Sequence, residues 1–166
     1  MKTRKLVILA MLLAFSLIIF VIEMQLPPLA PIPGIKLGLA NIITLIALVW
    51  FGRREAFILL ILRIVLGAMF TGGFTMLLYS AAGGMLCFAV MSLLLKPFKN
   101  NIWILSVFGA LAHNAGQIAM AMIVTSAWQV VWYMPILAVS AVLTGAFTGF
   151  TAGFVIKRFS GIREKI

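Results

Sequence analysis

Apolar residues run along this chain in long unbroken blocks, and each block is closed by a short group of basic residues, glycines or prolines. The blocks lie at about 6–22, 35–51, 56–70, 74–95, 102–126 and 135–156. Each approaches the roughly 20 residues a helix needs to cross the bilayer core. Inside the blocks the apolar positions are continuous instead of alternating with polar ones, which rules out the strands of a membrane β-barrel. The pattern predicts an all-α integral membrane protein, a bundle of six transmembrane helices forming one domain over 1–166. The punctuation agrees. Gly52-Arg53-Arg54-Glu55, Thr71-Gly72-Gly73 and the Pro97 to Asn101 stretch interrupt the blocks, and four of the 6 prolines stiffen the connection after the first helix.

Composition leaves no other solvent than lipid. The chain is 64% hydrophobic and 10% charged over 166 residues, with a mean hydropathy of +1.23. That is too little polar surface to clothe a soluble domain. The first block, preceded by basic residues, is ordered like a signal peptide. Its apolar run is longer than a signal core and no A-x-A site closes it, so it is read as a retained helix.

The charge is arranged as topology would arrange it. All but two of the 13 lysines and arginines fall in four clusters: Lys2/Arg4/Lys5, Arg53/Arg54, Lys96/Lys99 and Lys157/Arg158/Arg163/Lys165. Six crossings bring every cluster to one face. By the positive-inside rule that face is cytoplasmic, with both termini inside a cell membrane. Trp50, Trp103, Trp128, Trp132 and Tyr133 fall near segment ends, where interfacial aromatics belong. The net charge of +10 does not signal nucleic acid, because the basic residues flank apolar blocks and form no aromatic-interleaved stripe.

The two leftover cations, Lys36 and Arg63, lie where topology does not need them. An ionisable group at bilayer depth costs several kcal/mol unless it is paired or wet, so each one present is informative. Arg63 follows seven apolar residues, Ala56 to Leu62, and is expected either to pair with Glu23 or to meet an anion in a polar cavity. His113, Asn114 and Gln117 are placed on one face of the fifth helix as cavity-lining residues. Glu23, Gln25, Lys36 and Asn41 form a second polar group around the proline-rich connection and the start of the second helix. Backbone N–H groups there would favour an anion. Tyr79 and Ser80 are weaker candidates. Small residues at four-residue spacing, Ala10 and Ala14 on the first helix and Ala141, Gly145, Gly149 and Gly153 on the sixth, allow close helix approach. That approach serves either packing within the bundle or contact with a partner.

Much chemistry is excluded by what the sequence lacks. It has no Walker A motif and so no ATPase of its own. One His, one Cys, no Asp and three Glu cannot build a usual metal site, a haem pair or a catalytic triad. No enzyme activity is expected. The lone Cys87, inside an apolar block, reads as a packing residue.

The stretch Pro33-Gly-Ile-Lys-Leu-Gly-Leu-Ala-Asn41, within Pro31 to Leu48, resembles the loop and second helix of the Gx transporters. That family is often named heptaprenyl diphosphate synthase component I, and it is similar to the substrate-binding (S) components of energy-coupling-factor (ECF) vitamin importers. The resemblance implies a six-helix S-component-like fold with a pocket near the outer face. It also implies docking through A-x-x-x-A on the first helix, here Ala10 and Ala14, onto a T subunit driven by two ATPases. Prenyl synthases use Asp-rich Mg²⁺ motifs, which a chain without Asp cannot supply. The expected function is therefore capture of a small vitamin-like or anionic molecule. The alternative is a quinone- or flavin-associated membrane subunit of an extracellular electron-transfer or isoprenoid-related system, in which His113 would bond a quinone carbonyl. Neither reading calls for a covalently bound cofactor.

Overall fold

Six α-helices and one 3₁₀ turn make up the computed structural model, which describes residues 2–26, 36–71 and 73–159. The helices are α1 (Lys2–Met24), α2 (Asn41–Phe51), α3 (Arg53–Thr71), α4 (Phe74–Leu94), α5 (Ile102–Thr125) and α6 (Met134–Arg158). Among the described residues there is no strand. By length and composition α1, α4, α5 and α6 are able to cross a membrane. The 19 residues of α3 extend about 28 Å, close to the hydrocarbon thickness, but carry Arg63. The protein is thus a multi-pass membrane protein.

The second helix departs from the sequence expectation. The apolar block suggests helix from residue 35, whereas α2 begins at Asn41 and has 11 residues. Lys36–Ala40 is irregular, with Gly38 at φ +77°, a conformation L side chains rarely adopt. Helical winding starts only with the bonds from Asn41 N–H to Gly38 (3.0 Å) and Ile42 N–H to Leu39 (3.1 Å). A second departure is the 3₁₀ segment Trp128–Tyr133, which leads into α6. The boundaries of α1, α3, α4, α5 and α6 differ from expectation by a few residues only.

The short α2 is central. Every residue from Ile43 to Leu48 is buried, and with Leu12, Leu59, Met91, Leu105 and Ala152 they make the main core. A helix apolar on all sides belongs inside a bundle. Cys87 sits in this core as a packing residue. Outward faces carry Leu6, Val7, Met11, Phe15 and Ile18 on α1, and Val139, Leu143, Phe147, Phe150 and Phe154 on α6. Lipid tails are the natural contact for such faces.

α5 packs against both α4 and α6, and glycine makes each contact close. A Cβ at Gly116 would lie 2.5 Å from the Ala82 carbonyl oxygen of α4. A Cβ at Gly145 would lie 2.7 Å from the Cα of Val107, and one at Gly149 would lie 2.5 Å from the Cα of Trp103. Ser106 and Thr148 share a hydrogen bond of 2.9 Å across the same seam, and the Trp103 and Phe150 rings stack at 6.0 Å. Of the two roles left open for the α6 stripe, Gly145 and Gly149 serve packing within the bundle and not a partner, because α5 fills their open faces. Only Gly153 looks onto empty space.

The described basic clusters gather at one end. Lys5 pairs with Glu55 at the start of α3, and Arg53 donates to the Ser92 carbonyl near the end of α4 (2.8 Å). Lys157 shares a groove with Asn100 and Trp103 at the start of α5.

Candidate functional site

The irregular segment before α2 reaches well into the bundle. Asn41, the first residue of α2, meets Arg63, which lies near the middle of α3. Non-helical backbone at such depth survives in a membrane only if protein groups satisfy it. Two side chains from other helices do so. Glu23, near the end of α1, accepts hydrogen bonds through Oε1 from the backbone N–H of Gly38 and, at 3.3 Å, of Leu39. Gln117 of α5 accepts one from the N–H of Lys36 at 3.2 Å. Both residues thus hold the segment in place.

His113 fixes the segment from below. Its ring lies between Gly38 and Gly83 of α4: an added Cβ would come within 2.6 Å of Cδ2 at the first and 2.8 Å of Cε1 at the second. The missing side chains at these glycines are what admit the imidazole.

Two cations, Lys36 and Arg63, lie close enough to the segment to feel Glu23. Arg63 is 4% exposed and donates from Nη2 to the Asn41 side-chain carbonyl at 3.3 Å. Lys36 places Nζ 3.6 Å from the centroid of the Phe20 ring on α1, a cation–π contact. Glu23 attracts both cations, yet neither comes within 4.0 Å of it as an ion pair. Donors remain unused: Lys36 Nζ, Asn41 Nδ2 and Arg63 Nε have no hydrogen-bond partner among the described residues. Buried polar atoms are usually satisfied, and here three unpaired donors gather in one cluster.

Not every sequence candidate belongs here. Asn114 is buried but donates to the Leu137 carbonyl of α6 at 2.8 Å, bracing α5 against α6. One residue along a helix turns the side chain by about 100°, so Asn114 leaves the face shared by His113 and Gln117. Tyr79 packs in a separate apolar cluster with Ile118, Ala121, Val130 and Leu137. Ser80 is buried beside it in sequence, and Gln25 is exposed in the turn after α1. Ala10 and Ala14 face outward on α1, and Ala10 borders an apolar groove with Leu9, Leu13, Ile58 and Leu62. Phe20, Gly38 and Gly83 were not evident from the sequence as parts of the site. The available hints were the placement of Phe20 three residues before Glu23, on its face, and a Gly-Gly pair within an apolar helix.

The cluster is thus deep, rich in donors and positive charge, with its one carboxylate engaged by backbone. A comparison with protein families gives a match over residues 12–155 to the heptaprenyl diphosphate synthase component I family. No curated protein and no solved structure matches the chain. With most of its length matched and its helices apolar enough for lipid, the chain belongs to that Gx transporter-type family, as a membrane component of a transport-related system.

Proposed function

We propose that this chain is an S-component-like substrate-binding subunit that captures a small vitamin-like or anionic molecule and passes it inward with an energy-coupling module. The supporting observation is the cluster of unpartnered donors on Lys36, Asn41 and Arg63, held deep in the bundle and apart from the basic clusters. A T subunit and two ATPases would supply the energy. The outward Ala10/Ala14 face of α1 would be the docking face, since small residues there let a partner helix approach closely. The quinone or flavin alternative draws less support, because His113 is 3% exposed and walled in by Gly38 and Gly83.

Titration of the purified protein with a panel of vitamins and their precursors tests this reading. Binding of one compound is expected, weakened about tenfold or more in Arg63→Ala through loss of a charge-assisted contact. Membrane insertion should be retained. Equal affinity in wild type and Arg63→Ala would remove Arg63 from the site, and failure of the whole panel would count against capture.

The basic end should face the cytoplasm. Cys87 is buried, so single cysteines introduced at Arg54 and Gln25 can be labelled against a low background. An impermeant thiol reagent added to intact cells should modify the Gln25 position and reach the Arg54 position only after lysis. The reverse pattern would invert the topology.

A further inference from the structure

We infer that the guest carries a single negative charge, of the carboxylate kind, seated between Lys36 and Arg63. This rests on the capture reading above and narrows it to a charge class. The inference is a matter of counting ions. The cluster contains two cations, Lys36 and Arg63, and one carboxylate, Glu23, whose Oε1 is held by the N–H groups of Gly38 and Leu39. His113 adds no charge as neutral imidazole, and a third positive charge beside two others would only increase the repulsion. The balance is one positive charge in surroundings of low dielectric, where an uncompensated ion is costly.

Among the described residues nothing is left with which to cancel it. The chain contains 3 acidic residues in all. Glu55 is paired with Lys5 at the opposite end of the bundle. Glu164 lies outside the described residues and is flanked in the sequence by Arg163 and Lys165. The segment from Pro27 to Ile35, which lies outside the described residues, has no Asp or Glu in its sequence. Meanwhile Lys36 Nζ rests on the Phe20 ring, which offers only partial compensation. Lys36 Nζ, Arg63 Nε and Asn41 Nδ2 remain available as donors.

A monoanion with two acceptor oxygens answers both needs, since it balances the charge and takes up the donors. A diphosphate would bring more negative charge than this cluster can neutralise. A neutral ring compound would leave the excess cation buried. The family's synthase name therefore does not describe the guest of this cluster.

The test uses the purified full chain in neutral detergent, melted in sodium formate and in sodium diphosphate at equal ionic strength. Lys36→Met, which retains an unbranched side chain against Phe20, is measured alongside. Subtracting the variant from wild type in the same salt removes general salt effects. Formate should raise the wild-type melting temperature by roughly 3 °C more than it raises that of Lys36→Met. Diphosphate should produce no such difference. In buffer free of small anions, Lys36→Met should melt at or above wild type, because it removes the excess charge. A variant melting well below wild type there, or an equal response of both proteins to formate, would overturn the inference and show the cluster to be balanced as it stands. Capture itself is read separately by the vitamin panel. A neutral or multiply charged compound binding tightly there would keep the capture reading while ending this one.

Discussion

Replacing Glu23 with alanine is expected to lower the unfolding free energy by about 3–5 kcal/mol, the range for removing one partner of a buried ionic group. Three losses coincide. The N–H groups of Gly38 and Leu39 lose their acceptor, a carboxylate that is itself buried. Lys36 and Arg63 lose the only carboxylate near them among the described residues. The irregular segment that starts α2 also loses its tie to α1. Glu23→Gln separates these effects. It keeps a carbonyl oxygen for the two N–H groups and removes the charge, so it should fall between wild type and Glu23→Ala. Equilibrium unfolding in mixed micelles, followed by circular dichroism, reads the difference. A Glu23→Ala protein within about 0.5 kcal/mol of wild type would be behaving like a surface substitution. The carboxylate would then not be anchoring the segment.

The next largest effect is expected at Gly149. Valine there should cost about 3 kcal/mol, at the upper end for forcing extra atoms into a packed seam. The obstacle is the main chain of α5, with the Cα of Trp103 at 2.5 Å from the added Cβ, and a helix backbone cannot swing aside as a side chain can. The Ser106–Thr148 hydrogen bond and the Trp103–Phe150 stack lie within a residue or three of the contact and should loosen with it. Gly153→Val, one turn further along the same stripe, meets nothing within 4 Å and should melt close to wild type. If both variants were equally destabilised, helix propensity and not the α5–α6 approach would be the cause.

The sequence revealed most of the frame and part of the site. Continuous apolar blocks located five of the six helices to within a few residues, because a spanning helix is dictated by length and polarity alone. Lys36 and Arg63 stood out because topology had no use for them, and the fold brings both into one cluster with Asn41 and Glu23. The late start of α2 was hidden. Lys36 to Ala40 runs straight into the apolar block, and what keeps it from winding is Glu23 drawing in two backbone N–H groups and a positive φ at Gly38. Asn114 was misplaced because neighbours in sequence point in different directions on a helix. The spacing of the α6 glycines was plain, but spacing does not say which helix fills them.

α1 is pinned at both extremities and by little else that is polar. Lys5 holds it to α3 near one end, and Glu23 holds it to the Gly38 segment at the other, about 27 Å away along the axis. It therefore has the properties of a lever with its fulcrum at the basic end. A tilt of about 6° over that span carries Glu23 by nearly 3 Å, the length of a hydrogen bond. A push on the exposed flank of this one rod would thus be felt at the far end, where Glu23 latches the Gly38 segment.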